Sequence, residues 1–437
     1  MLDINLIKEN LDLVKTAAKN KNISVDLDRL IEIDAERKKM IGKIEVLRSE
    51  RKKNGEKMQK ATEKERKNIA EEGKNIKKKI ADLEAKYETI KNEFDELMAK
   101  VPTVPSEDTP IGKDSDQNVE VGSWGEKPVF DFKPLTHIEL GEKLDLLDLQ
   151  KGAKVAGYRG YYLKNEAVTL VMGVMLEAIN KMINRGYRPF IPPTLVKSFP
   201  LFGSGYFKDQ EYNSEIDEIY QIASRDKDST GEISKEKKFL VGTAEPSLLA
   251  YFSDEVLKTE ELPIKVCGFS QCYRSEIGSY GKDTKGIYRV HEFMKVEQVV
   301  ICPADHEKAK EIQEEMVGIS EELHRDLGLP YRKLQICTGD MSAGKYRAFD
   351  LEAWMPGLNR YGETGSASNF ADWQARRLNI KYIENGEKKY AFLLNNTALA
   401  SARTLIAILE NYQQKDGSVK VPKILQKYVG KERIDLR

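Results

Sequence analysis

Between Cys272 and Val300 the sequence reads CYRSEIGSYGKDTKGIYRVHEFMKVEQVV. Two apolar-rich runs flank a Gly-rich middle. Both carry ionisable side chains. Arg274 and Glu276 stand two apart; Arg289, His291 and Phe293 repeat that spacing, and Lys295 and Glu297 continue it. Residues two apart on a strand share a face. The spacing therefore predicts two antiparallel strands that present Arg, Glu, Arg and Phe over one floor. That set suits ATP. Guanidinium forks match phosphate oxygens, a carboxylate accepts from the adenine amine, and a ring stacks on a base for about 1–3 kcal/mol. A solvated hairpin with charged edges would satisfy the same pattern. The intervening IGSYGKDTKG is long and Gly-rich enough to close over a second substrate.

The common nucleotide signatures are missing. The nearest approach to a phosphate loop, GDMSAGKY (Gly339 to Tyr346), ends in Tyr346 where a small hydroxyl is needed. No G-x-G-x-x-G follows a strand-like run. The four cysteines (267, 272, 302, 337) and four histidines (137, 291, 306, 324) show no zinc spacing, so no zinc is expected and the thiols are read as free. Acidic and basic residues balance at 71 each, so any polyanion-binding surface must be local. The start, MLDINLIKEN, lacks the apolar run of a secretory signal, and Glu177 interrupts the most apolar helical stretch. These features predict a cytoplasmic protein with no membrane partner.

The elements that would position such a site differ sharply along the chain. Before Pro102 there is no proline. Ile76, Ile80, Leu83, Tyr87, Ile90, Phe94 and Leu97 alternate steps of four and three, a heptad seam. Leu30, Ile33, Met40, Ile44 and Leu47 repeat the rhythm, with Arg37 in one slot. The polar stretch 51–68, which contains Gly55, reads as the turn of an antiparallel hairpin. Arms of about 30 to 35 residues would reach roughly 45–55 Å. Residues 35–100 hold 20 Lys/Arg against 14 Asp/Glu. That excess fits a solvated helix face or a nucleic-acid grip. Pro102, Pro105 and Pro110 then mark a stiff linker. Helix and strand patterns alternate after residue 120, with short connections that predict a largely antiparallel sheet. The predicted fold is α+β. Its divisions are a helical hairpin arm (1–101), a Pro-rich hinge (102–120) and a catalytic domain (121–437). Residues 225–238 read as a polar surface loop.

The 272–300 stretch resembles motif 2 of class II aminoacyl-tRNA synthetases, in the form seen in seryl-tRNA synthetases of bacterial type. GYRPFIPP (186–193) is similar to motif 1, GTAEPSL (242–248) to the amino-acid loop, and LNNTALASARTLIAILENYQ (394–413) to motif 3. The likeness spans the whole chain, with the segments in order. It implies a class II antiparallel sheet flanked by helices, ATP and Mg²⁺ as cofactors, and serine and serine tRNA as substrates. Motif 1 implies a homodimer, and the arm (residues 30–100) implies a grip on the long variable arm of the tRNA.

Carried over position by position, the resemblance gives Arg274 to the α-phosphate, with Ser275 beside it, Glu276 to adenine and Phe293 to stacking. Arg289 would help place the polyphosphate, and Arg403 would meet the γ-phosphate. Glu363, Thr364, Gly365 and Ser366 complete the ATP site, Glu363 and Ser366 holding Mg²⁺. Thr243, Ala244, Glu245, Arg274, Glu297 and Thr397 form the serine pocket. Arg274 and Arg403 are the expected catalytic pair. Asn396, Ala398 and Ala402 stand where many relatives have glycine, which bears on the floor of the nucleotide site. Two other readings fit the sequence: a paralogue that loads another acceptor, and a non-catalytic tRNA-binding scaffold.

Overall fold

The computed structural model describes residues 1–207, 210–224, 226–227, 229–277 and 285–437. Most of the loop expected to close over a second substrate (278–284), and Arg225 and Asp228 of the polar excursion, lie outside the described residues. The chain forms two compact units. One is Leu2–Lys19 with Ile23–Val101; the other is Met1, Asn20–Asn22 and Pro102–Arg437.

In the first unit two short helices, α1 (Ile4–Glu9) and α2 (Leu11–Asn20), precede two long ones, α3 (Leu27–Lys60) and α4 (Glu63–Lys100). Arg29 reaches Glu93 at 2.7 Å, Arg48 reaches Glu84 at 2.8 Å and Asn54 reaches Glu72 at 3.3 Å. Partner numbers fall along α4 as they rise along α3, so the pair is antiparallel. The heptad positions form its seam: Leu30, Ile33, Ile44, Ile80 and Phe94 are buried. Arg37 fills its slot by stacking on Phe94, 4.4 Å from the ring centroid. The expected polar turn is corrected. Residues 51–60 and 63–68 are helical and Gly55 lies inside α3, because Lys, Glu, Gln and Arg sustain a helix as well as most residues do. The chain reverses at Ala61–Thr62, where the Thr62 N–H donates to Glu65 at 2.9 Å. At 34 and 38 residues, the helices span about 51 and 57 Å.

The second unit is built on an eight-stranded sheet. In chain order its strands are β1 (Val119–Trp124), β2 (Arg188–Phe190), β3 (Ile264–Tyr273), β4 (Glu292–Cys302), β5 (Tyr331–Gln335), β6 (Arg347–Met355), β7 (Arg360–Asn369) and β8 (Phe392–Ala400). Their order across the sheet is β1-β5-β6-β7-β8-β4-β3-β2. Every neighbouring pair is antiparallel except β2 with β3. Helices α5 (Glu166–Asn184), α6 (His306–Asp326) and α7 (Ser401–Asn411) bury their apolar faces with it in one core. Residues 103–110 run along this unit. The Thr103 N–H donates to the Ala343 carbonyl at 2.8 Å, and the Thr338 N–H donates to Pro110 at 2.9 Å.

The pleat sorts chemistry from core. On β8, Asn396 donates to the Met316 carbonyl (2.9 Å) and the Ser320 hydroxyl (2.8 Å) of α6. Its neighbours Asn395 and Thr397 therefore face the opposite side. A bulge between Val296 and Glu297 brings Glu297 level with Thr397. On β3, a Cβ at Gly268 would stand 2.8 Å from Ala244 Cβ. Glycine there lets the segment bearing Thr243 and Glu245 seat on the sheet.

One part of the opening expectation fails. Strand β3 ends at Tyr273 and β4 begins at Glu292, so Arg274, Glu276, Arg289 and His291 lie beyond the strand ends. Glu276 has φ +55°, which breaks the alternation. The two flanks stay joined because the Arg274 N–H donates to the His291 carbonyl at 3.0 Å, and His291 Nδ1 lies 2.8 Å from the Arg274 carbonyl.

Candidate active site

Two cavities open on the cleft face of the sheet and meet. The first holds about 520 Å³ of open space and is lined by Arg274, Glu276, Tyr288, Arg289, Val290, Phe293, Lys295, Glu363, Thr364, Gly365, Thr397 and Arg403, among others. The second, about 970 Å³, is lined by Tyr206, Glu245, Arg274, Lys295, Glu297, Lys345, Glu363, Ser366, Trp373, Asn395 and Thr397, among others. Arg274, Lys295, Glu363 and Thr397 belong to both. One compartment has aromatic and cationic walls and the other carries buried carboxylates, with a guanidinium where they join.

In the first compartment Arg274 Cζ stands 5.5 Å from the Phe293 ring centroid, and its Nε donates to the Gly242 carbonyl at 3.4 Å. Arg403, from the first turn of α7, lies 4.6 Å from the Tyr288 ring centroid. Its guanidinium meets the Glu363 carboxylate at 3.0 Å and donates to the Glu363 carbonyl at 2.9 Å. Arg289 does not face a phosphate position alone: its Nη1 is 3.1 Å from Glu276 Oε2. Arg159 Nη1 reaches the same oxygen at 3.4 Å. Glu276 is thus gripped by two guanidiniums, one of them 117 residues upstream.

In the second compartment Glu245 is 4% exposed. Gln374 Nε2 and Asn395 Nδ2 donate to its Oε1 at 2.7 and 2.6 Å, and the Tyr206 hydroxyl donates to Oε2 at 3.4 Å. Burial, followed by the charge of Glu297, pushes the Glu245 carboxyl up to about 7. Glu297, 2% exposed, pairs with Lys295 and accepts from the Thr243 hydroxyl at 2.9 Å. The Thr397 hydroxyl lies 3.2 Å from Lys295 Nζ and 3.5 Å from Glu297 Oε2. Such a buried lattice of acid, ammonium and hydroxyl matches a small zwitterion with a hydroxyl of its own.

Glu363 and Ser366 flank the junction on β7. Asp350, opposite Ser366 on β6, hydrogen-bonds to it, and burial plus the charge of Glu363 pushes the Asp350 carboxyl up to about 7. Burial opposes ionisation of Glu363 too, but Arg403 and Arg274 outweigh it and hold that carboxyl low. These are oxygen donors of the kind hard divalent cations take. Among the described residues no group of three or more His, Cys, Asp or Glu could hold a metal. Glu363 and Ser366 offer one carboxylate and one hydroxyl oxygen, a donor set of the chemistry that suits such a cation without enclosing it. The four cysteines are buried and unbridged.

The structure brings together Arg274, Glu276, Arg289, Phe293, Glu363, Thr364, Gly365 and Arg403 in one compartment, and Glu245, Arg274, Glu297 and Thr397 in the other, with Ser366 and Glu363 between. Thr243 touches the second compartment through Glu297, Ala244 packs beneath it, and Ser275 follows Arg274 in the turn. Sequence reasoning assigned no role to Lys295, Asn395, Tyr206, Gln374, Tyr288, Asp350 or Arg159. Lys295 was within reach, since it alternates with Phe293 and Glu297 on β4.

Comparison with known proteins agrees with this geometry. Residues 1–105 match the seryl-tRNA synthetase N-terminal domain, and residues 229–412 the tRNA synthetase class II core domain (G, H, P, S and T). The serine–tRNA ligase of Treponema denticola is 41% identical across 99% of this chain and 100% of its own length. That of Borreliella burgdorferi is also 41% identical, with both chains covered in full. Among solved structures, seryl-tRNA synthetase from Pyrococcus horikoshii complexed with ATP aligns over 100% of both chains, at TM-score 0.86 and 34% identity. The cytoplasmic serine–tRNA ligase of Naegleria fowleri in complex with AMP gives TM-score 0.83 and 31% identity, over 100% of this chain and 99% of that one. The chain belongs to the seryl-tRNA synthetase family of class II aminoacyl-tRNA synthetases.

Proposed function

We propose that this cleft activates serine with ATP and transfers it to the terminal adenosine of serine tRNA. One observation carries the reading: Arg274 stands where the aromatic–cationic compartment meets the one holding Glu245 and Glu297. An α-phosphate and an amino-acid carboxylate must meet at such a point.

ATP lies with adenine between Phe293 and Arg403 and with its amine read by Glu276. Arg289 and Arg159 hold the Glu276 carboxylate in place. Ser275, Thr364 and Gly365 border the nucleotide. Serine lies with its ammonium at Glu245 and Thr243 and its hydroxyl at Glu297 and Thr397, against the Ala244 segment. The serine carboxylate oxygen attacks the α-phosphorus as the bond to the β-phosphate oxygen breaks and pyrophosphate leaves. Arg274 takes up charge at the phosphorus, and no side chain is a covalent nucleophile. Catalysis is positioning plus charge stabilisation, where a single donor contributes about 10²–10³ in rate. A hydroxyl of the tRNA's terminal ribose then attacks the seryl carbonyl and AMP departs. Mg²⁺ would be held by Glu363 and Ser366 with the phosphate chain, where it supplies charge neutralisation.

Residues 1–101 act as the tRNA-gripping arm, taking the long variable arm of serine tRNA, 102–120 as the connection and 121–437 as the catalytic domain. The protein works as a cytoplasmic homodimer. No described helix is long and apolar enough to cross a membrane. Helix α5 leaves Val168, Met172, Leu176 and Ile183 exposed, and beyond β2 Ile191 is 85% exposed, which supports a paired copy there. The direct test is pyrophosphate exchange and charging of bulk tRNA with each of the twenty amino acids. Serine alone should support both; no exchange with any of them would refute the reading.

A further inference from the structure

Lys21 is 3% exposed and belongs to the same compact unit as the cleft. Its ammonium donates to three carbonyls of one loop: Ala343 at 3.1 Å, Lys345 at 2.5 Å and Ser342 at 3.4 Å. An ammonium has three donors, and here one turn of chain meets all three. Among the described residues it has no carboxylate partner. Burial, with the nearby charge of Lys345, pulls its pKa down to about 7. A lysine buried without an acid is an expensive anchor, so what it anchors is informative.

The anchored loop is a wall of the second compartment. Ser342, Ala343, Gly344 and Lys345 all line that cavity, together with Glu245, Glu297 and Ser366. The loop is pinned from the far side as well. A Cβ on Gly344 would come within 2.6 Å of the Trp373 ring and 2.8 Å of Phe370, so this glycine lets the loop lie flat on the aromatic wall. The Ala343 carbonyl takes a second donor from the Thr103 N–H at 2.8 Å, and the neighbouring Asn22 amide donates to the Lys113 carbonyl at 3.0 Å. Lys345, at the end of the loop, is close enough to weigh on the ionisation of both Glu363 and Asp350.

We propose that Lys21 is a positioning residue for the amino-acid compartment. Its ammonium fixes loop 342–345, and so sets the width of the pocket and the place of the Lys345 charge beside Glu363. The proposal rests on reading that compartment as the serine pocket. Lys21 touches neither substrate; it acts through the loop.

The test is Lys21→Met in the full-length protein, which keeps most of the length and volume but takes the ammonium away from all three carbonyls, so that Ala343 and Ser342 retain the N–H groups of Thr103 and Lys345 and the side-chain clamp is gone. Pyrophosphate exchange should show KM for serine raised at least tenfold and KM for ATP changed less than twofold. Amide hydrogen exchange should accelerate at least tenfold within residues 342–346 and little elsewhere. Lys21→Gln, which retains two donors on a shorter stem, should fall between the wild type and Lys21→Met, and it serves as the test if the methionine variant does not fold. Equal shifts in both KM values, no shift in either, or failure of both variants to fold would overturn the proposal. If the wild type shows no serine-dependent exchange while Lys21→Met still loosens the loop, the serine reading falls and the clamp stands.

Discussion

Glu245 offers the sharpest quantitative test. It sits at the bottom of the second compartment, 4% exposed, and its Oε1 is saturated by Gln374 and Asn395 at 2.7 and 2.6 Å. Only Oε2, at 3.4 Å from the Tyr206 hydroxyl, remains loosely engaged and available to a serine ammonium. In Glu245→Gln the side-chain oxygen keeps the two amide donors, so the new NH₂ must take the Oε2 position and point at the ammonium. A hydrogen bond to a charged group is worth about 1.5–3 kcal/mol, so the exchange should raise the KM for serine roughly 10- to 150-fold. The wild type adds a pH signature. Burial and Glu297 raise this carboxyl to about 7, so the anion proposed to bind serine predominates only above that pH. Serine therefore should bind progressively more weakly as pH falls through 7, approaching about tenfold per pH unit below it. Glu245→Gln has nothing to titrate there and should lose this dependence. Initial rates of pyrophosphate exchange from pH 5.5 to 8.5 read both effects. A Glu245→Gln enzyme with serine KM within threefold of wild type, or a wild-type profile flat across pH 7, would refute the assignment of the ammonium to Glu245.

Other outcomes follow from the same geometry. Arg274→Ala should cost at least 10²–10³ in the exchange rate, about 2.7–4 kcal/mol, because it removes the guanidinium at the junction of the compartments; single-turnover adenylate formation measures it. Thr397→Val removes a hydroxyl beside Lys295 and Glu297 and should reduce the preference for serine over alanine about tenfold, near the 1.4 kcal/mol of one hydrogen bond, read as a ratio of kcat/KM values. Binding of serine tRNA should weaken steeply with salt, since the basic excess of residues 35–100 would act through phosphate contacts. A flat plot of log affinity against log salt would remove the electrostatic grip.

What the sequence disclosed depended on how locally each feature is encoded. The heptad seam was legible because its period is written in consecutive turns, and Arg37 interrupts it only in name, since its guanidinium packs on Phe94. The end of the hairpin was harder, because lysine and glutamate serve a helix as readily as a polar loop; only the Ala61–Thr62 reversal and its Glu65 cap decide it. On β4 the alternation of Phe293, Lys295 and Glu297 holds. The same rule failed for Arg274, Glu276 and Arg289, where turns rather than the pleat aim the side chains. Their convergence came from motif resemblance, not from period. The partners of Glu245 come from residues 206, 374 and 395, and the second guanidinium on Glu276 from residue 159. No local pattern in one sequence links positions so far apart; they meet only because the sheet and the segments packed on it bring them together. Lys21 reads as one more solvated lysine until its three carbonyls are seen.

The most direct measurement of the central claim is a crystal structure with a non-hydrolysable seryl-adenylate analogue. Adenine should lie between Phe293 and Arg403, the phosphate mimic at Arg274, the ammonium at Glu245, and the serine hydroxyl at Glu297 and Thr397. An analogue bound outside the joined compartments, or bound with its aminoacyl end turned away from Glu245 and Glu297, would contradict it.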